Sequence, residues 1–315
     1  MTVDVVTLGE TMALLVPPRV GPLRHARTLD LGVAGAESNL AVGVARLGGR
    51  AAWIGRVGDD EFGRLVRMTL AGEGVHAVAV VDGEAPTGLM VKERRTAHTT
   101  RVQYYRKGSA GSRLRADDLD ENLIRAAKVL HVTGITLALS PSARDAVHAA
   151  IEIARAAGVL VSFDVNHRTA LWSDATASTE VREVVKRADV VLATEEEARL
   201  VVDAPDAAGL AGRLAQYGAA HVLIKRGADG AVALVDGVQH TVPAVPVAAV
   251  DPVGAGDAFG AAYLTVLCRD GSADERLRAA AAAGAFAVTV PGDWEGLPSA
   301  AELDLLGLAP GSVVR

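Results

Sequence analysis

One cysteine, Cys268, stands among 315 residues, so no internal disulfide can form and a disulfide-stapled scaffold is excluded. It sits in the apolar run 261–268, the setting of a small buried hydrophobe. Aromatic residues are equally sparse at 3 Trp, 4 Tyr and 4 Phe, so Ala, Val, Leu and Gly must build the core. The longest uncharged apolar stretch, 279–290, holds 12 residues, short of the ~20 that span a bilayer. Asp4 and Glu10 interrupt the opening apolar segment, so no secretory leader is visible. Lysine never follows glycine, which excludes a P-loop, and no G-x-G-x-x-G follows the first apolar run, which disfavours a Rossmann dehydrogenase. A net charge of −6 gives no reason to expect nucleic acid or an anionic membrane as partner. The expectation is a soluble cytoplasmic protein.

What is present reads as α/β. Half of the residues are hydrophobic, far too many for a disordered chain, and the length allows one large α/β domain or two ordinary ones. Short apolar runs at 3–8, 51–54, 129–132, 159–163, 190–192 and 222–224 predict strands without strict alternation, as in strands buried on both faces. Amphipathic segments at 38–47, 61–73, 141–157, 181–187 and 207–217 predict the intervening helices. Ser140 followed by Pro141 marks one helix start. The pattern predicts an open, mostly parallel sheet flanked by helices, with right-handed crossovers. Two stretches break it: 11–33, rich in proline, and 86–105, where alternating runs flank the polar turn Arg-Arg-Thr-Ala-His at 94–98 and predict a hairpin. No linker divides the chain, so one domain over 1–315 is expected, with a discontinuous β lid from about 11–34 and 85–108.

Two segments carry chemistry. In Asp251-Pro-Val-Gly-Ala-Gly-Asp257, Pro252 marks a turn, Gly254 and Gly256 permit close backbone approach, and the residues that follow begin a helix. Unpaired amides at such a start suit an anion, and Asp257 beside them suits a general base acting on a hydroxyl. An ordinary first-turn carboxylate is the alternative reading. In the second segment, Gly32 to Ala41, Gly35 lets a ligand approach the backbone while Asn39 enters a helix, where it could also serve as a cap.

Together these segments resemble the paired signatures of the ribokinase-like (PfkB) carbohydrate kinases: small-Gly-small-x-x-Asn near residue 35, and Asp-x-x-Gly-Ala-Gly-Asp near 255. The segments 55–63, 104–110, 164–168, 194–197 and 225–230 look like further landmarks of that family. Within it, Tyr104-Tyr-Arg-Lys-Gly-Ser-Ala-Gly111, Gly134-Ile-Thr-Leu-Ala-Leu-Ser140 and Asp164-Val-Asn-His-Arg168 are most similar to 2-keto-3-deoxygluconate kinases. These phosphorylate a six-carbon sugar acid at its terminal hydroxyl with ATP and Mg²⁺. The resemblance implies a ribokinase-like fold, Asp257 as base, and the amides of Gly254, Ala255 and Gly256 as the pocket for the transferring phosphoryl group. It implies that Thr194, Lys225, Gly227 and Gly230 approach the nucleotide, the two glycines also being compatible with an ordinary hairpin. Glu197 would act on Mg²⁺ through water, although Thr194 stands where the family motif has Asn.

Gly35, Asn39, Tyr104, Arg106 and Arg168 would bind the sugar acid, the two arginines forking its carboxylate. Met90 departs from a tyrosine common on this lid strand in closely similar kinases, which leaves a variant sugar acid open. A neutral-sugar kinase for fructose, ribose or a nucleoside, and a non-catalytic sugar sensor on the same fold, are the alternatives. A monovalent cation beside Asp251 stays open too. Lids of this kind pair across dimers in the family, so a homodimer or higher oligomer is expected. Residues 85–115 carry eight basic side chains against one acid, Glu93, which places a basic lid on an acidic body.

Overall fold

The structure is a computed structural model that describes residues 3–96 and 99–307. Thirteen strands run through them: β1 (Val3–Leu8), β2 (Met12–Val16), β3 (Asp30–Ala34), β4 (Ala51–Gly58), β5 (His76–Asp82), β6 (Leu89–Thr96), β7 (Thr99–Tyr105), β8 (Ala127–Thr133), β9 (Leu160–Asp164), β10 (Val190–Thr194), β11 (His221–Lys225), β12 (Ala231–Val235) and β13 (Val238–Val242). Nine form the main sheet, in the order β13-β12-β11-β10-β9-β8-β1-β4-β5. It is parallel from β11 to β5, while β12 and β13 form an antiparallel margin.

Alternation along the buried strands divides the core in two. Leu130 and Val132 of β8 join the layer that faces the helices Pro141–Ala156, Asp174–Val185 and Ala207–Ala215. Val129 joins the opposite layer, packed on the helices Ala36–Arg46, Glu61–Gly72, Ala255–Leu267 and Ala273–Ala287. Small side chains fill most of both layers. The few large ones (Trp53, Tyr263 and Phe163) are fully buried, and the Tyr263 hydroxyl reaches His221 Nδ1 at 3.2 Å. Ser140 caps its helix as expected, its Oγ accepting from the Ala143 amide at 3.1 Å, with Pro141 in the first turn.

The two excursions meet in a separate four-stranded sheet, β3-β2-β6-β7. The β6–β7 hairpin is antiparallel, and β6 runs on to Thr96, into the predicted turn; Ala97 and His98 of that turn lie outside the described residues. Met12, Leu14, Ala34 and Met90 form this sheet's own apolar cluster. Met90 is therefore a lid core residue. Among the described residues no helix is long and apolar enough to cross a membrane.

Candidate active site

Three adjacent parallel strands deliver side chains to one edge. Leu192 of β10 is registered against Asp164, the last residue of β9, and Thr194 against Lys225, the last residue of β11. Carboxyl ends of parallel strands are where open α/β sheets bind ligands. Lys225 Nζ donates to Asp164 Oδ2 at 2.5 Å. Burial disfavours the lysine's charge, but Asp164 and Glu197 more than offset this and raise its pKa. The other Asp164 oxygen accepts from the Asn166 amide at 3.2 Å, a side-chain turn that places Asn166 at φ 38°.

Thr194 caps the short helix Glu195–Ala198: its Oγ1 accepts from the Glu197 amide at 3.2 Å, and Glu197 Oε2 accepts from the Thr194 amide at 2.7 Å. Glu197 Oε1 accepts from the His167 amide at 3.0 Å, which ties the loop after β9 to the end of β10. The Asn-to-Thr departure therefore leaves the cap intact. Each carboxylate oxygen keeps a lone pair beyond its one amide, which fits a carboxylate that acts on the water shell of Mg²⁺.

Asp257 sits in the first turn of the helix Ala255–Leu267. Asn39, in the first turns of the helix Ala36–Arg46, donates its Nδ2 to Asp257 Oδ2 at 2.8 Å. Burial pushes the Asp257 carboxyl up to about 7, against the downward pull of that hydrogen bond; Asp164 adds to the rise and Lys225 opposes it. A carboxylate poised near neutrality is what a general base requires. Among the described residues, the buried Asn39 Oδ1 has no hydrogen-bond partner.

Gly254 enters the helix at φ 80°, and a β-carbon there would lie 2.0 Å from the Asp293 carbonyl oxygen, so glycine is required. No side chain caps this helix, and among the described residues no acceptor meets the amides of Gly254, Ala255 and Gly256. Unpaired amides beside a carboxylate form a ready anion pocket. Gly35 also has a steric reason: a β-carbon would come within 2.4 Å of the Glu10 carbonyl oxygen.

A cleft of about 510 Å³ opens between the lid and the strand ends, and its walls include Tyr104, Arg106, Arg168, Thr194 and Glu197. Five sequence-predicted residues from both the sugar and the nucleotide sets thus share one cavity. Its lining does not include Asp257, Asn39, Lys225, Gly227 or Gly230. Gly227 and Gly230 form the turn between β11 and β12. Arg168 is exposed and donates to the His167 carbonyl at 3.1 Å. Arg106 is 9 % exposed, forks onto Glu10 at 2.5–2.6 Å, and lies 5.5 Å from the Tyr104 ring centre.

Sequence reasoning assigned no role to Asp164, Glu10 or Lys92. Glu10 and Lys92 gave no signal, because their partners lie far along the chain; Asp164 stood inside a quoted motif and could have been named from it.

The pfkB family carbohydrate kinase model matches residues 3–300. The 2-dehydro-3-deoxygluconokinase of Thermoproteus tenax is 39 % identical over 96 % of this chain and 94 % of its own length. Haloferax volcanii 2-dehydro-3-deoxygalactonokinase is 36 % identical over 93 % of each chain. Maize fructokinase-1 is 35 % identical over 95 % and 96 %. A putative ribokinase II from E. coli, solved with ATP and Mg²⁺, superposes with a TM-score of 0.90 at 28 % identity, covering 96 % of this chain and 98 % of that one. The chain belongs to the pfkB family of carbohydrate kinases and has their ribokinase-like fold.

Proposed function

We propose that this kinase phosphorylates the terminal hydroxyl of a six-carbon 2-keto-3-deoxy sugar acid, 2-keto-3-deoxygluconate first among them, to give the 6-phosphate. The observation that carries the chemistry is the pairing of Asp257, held by Asn39, with the unpartnered amides of Gly254 to Gly256. Asp257 takes the hydroxyl proton as the oxygen forms its bond to the γ-phosphorus, and the bond from that phosphorus to the ADP oxygen breaks. The amides hold the charge that develops on the transferring group, so the protein contributes mainly position and electrostatics. The buried Asn39 Oδ1 remains free to accept from a sugar hydroxyl. Lys225 and Glu197 lie on the nucleotide side, where Glu197 would hold Mg²⁺ through water. The metal, when bound, neutralises phosphate charge.

Arg168 in the cleft supports an acidic substrate, as do the sugar-acid kinases among the relatives. Arg106 supports it less directly, because Glu10 already occupies two of its nitrogens. That pairing, with the fructokinase relative, favours a neutral hexose as the second reading. The test is ADP release across a panel of sugar acids, neutral hexoses, ribose and nucleosides. Expected is turnover with 2-keto-3-deoxygluconate or its galactose-derived epimer, an increase of roughly tenfold or more in KM for the acid in Arg168→Ala, and little change for any neutral sugar. Asp257→Asn should keep ligand binding and lose roughly 10²–10⁴ in kcat. Turnover of fructose alone would overturn the acid assignment, and near-wild-type kcat in Asp257→Asn would overturn the base. The same reading carries a lid-to-lid dimer, supported by Leu31 and Tyr105, which share a lid face by register and stay exposed; sedimentation equilibrium tests it.

A further inference from the structure

Lys92 belongs to the lid strand β6, yet it is 1 % exposed. Strand alternation sets it on the same lid face as Met90. Its ammonium lies 3.3 Å from Asp251 Oδ2 and 3.4 Å from the Gly292 carbonyl oxygen, and it is ion-paired with Asp293. Asp251 and Asp293 are themselves buried. Three pieces of chain therefore meet on one cation: the lid, the loop that enters the anion pocket, and the turn at 292–293.

Both carboxylates shape the pocket. Asp251 Oδ1 accepts from the Val253 amide at 3.1 Å, and its Oδ2 accepts from the Gly292 amide at 3.4 Å. The carbonyl of Asp293 is the atom against which Gly254 is fitted. Two buried carboxylates without a cation would repel and carry the full cost of desolvation. A free monovalent cation beside Asp251, left open by the sequence, does not fit this arrangement, because a protein ammonium already fills the place between the oxygens.

We propose that Lys92 is a built-in cation: a positioning residue whose ammonium does what a free monovalent ion would do there, fixing the turn that presents the Gly254–Gly256 amides and tying it to the lid. The link to catalysis rests on the function proposed above; the ion site itself does not.

The test compares wild type with Lys92→Ala and Lys92→Met in buffers whose monovalent cation is either K⁺ or tetramethylammonium, which is too bulky to enter. Both melting temperature and kcat are read. Wild type should give the same values in the two buffers. The variants keep both carboxylates, so they should melt several degrees higher in K⁺ than in tetramethylammonium, and K⁺ should restore a kcat that has fallen roughly 10–10²-fold. The idea is overturned if K⁺ raises the wild-type melting temperature or kcat severalfold, or if both variants ignore K⁺, whether folded or not. Melting needs no turnover, so a K⁺-dependent variant of a protein that phosphorylates no sugar acid would leave the ion site standing and remove the substrate assignment.

Discussion

Asp257 and His131 are buried groups with opposite effects on stability as pH changes. Burial lifts Asp257 to about 7, so its contribution to stability is fully present below the usual carboxylate range and is lost as pH rises through 7. Burial holds His131 down to about 3, with Lys225 adding to the effect, and its Nδ1 meets Ser162 Oγ at 3.0 Å. Its contribution is present above the ordinary histidine value and is lost as pH falls toward 3. Between roughly pH 4 and 6.5 the two slopes oppose each other. Asp257→Asn should therefore be more stable than wild type at pH 8, with the gap closing toward pH 4, and its acid loss below pH 6.5 should be steeper; urea unfolding at four pH values measures both. Activity supplies a second check. The acid limb of kcat/KM for the free enzyme should fall near pH 7, and Asn39→Ala should move it to higher pH, because the lost hydrogen bond favoured the ionised carboxylate. An unmoved limb would separate Asn39 from the base.

Elements set where these residues stand, and the helix start at Gly254 is the most demanding. Gly254→Ala forces a β-carbon into a left-handed position against the Asp293 carbonyl, costing roughly 1–3 kcal/mol of backbone strain before any clash. Gly256→Ala meets only Lys225 Nζ at 3.4 Å in a helical conformation. Calorimetry should show a lower melting temperature for Gly254→Ala and a nearly unchanged one for Gly256→Ala, with kcat reduced far more in the first. Much of this level was legible in the sequence. The apolar runs that became β1, β4, β8, β9, β10 and β11 were clear because both faces are buried, and their order leads to the strand ends that carry the site. The edge strand β5 and the margin β12–β13 were not named: Ala77–Val81 and Ala231–Val235 are apolar runs that were passed over, whereas Val238–Val242, broken by Gln239 and His240 and mostly exposed, offers no such run. The helix at Asp174 was expected only from 181: Ser173 caps it, but its first turns are polar and small. The amide pocket, Asp257 and Asn39 could be named from motifs, whereas the bond between the last two joins positions 218 residues apart and needed the fold.

For the whole molecule, half of the eight basic side chains in 85–115 prove to be paired. Lys92 meets Asp251 and Asp293, Arg106 meets Glu10, Arg113 meets Asp82 and Glu84, and Arg115 meets Asp118. Lys92 and Arg106 tie the lid to an acidic body, which leaves less of the excess to attract a ligand than composition suggested. Arg106→Ala should accordingly destabilise the fold by about 3–5 kcal/mol, because the buried Glu10 carboxylate keeps the Ser109 hydroxyl but loses its cation, while Arg168→Ala should leave stability within about 0.5 kcal/mol. Parallel denaturant melts decide this; equal losses would make both arginines structural. The lone Cys268 has a practical consequence. Its thiol is buried, donates to the Asp4 carbonyl oxygen, and is pushed up to about 11, so at neutral pH it offers almost no thiolate to a maleimide or nitroxide reagent. A single cysteine placed on the exposed lid strand, as in Arg101→Cys, would take a fluorophore or spin label without a silent-background mutant, so spectroscopy in otherwise native protein can test whether the lid shifts when ligands are added.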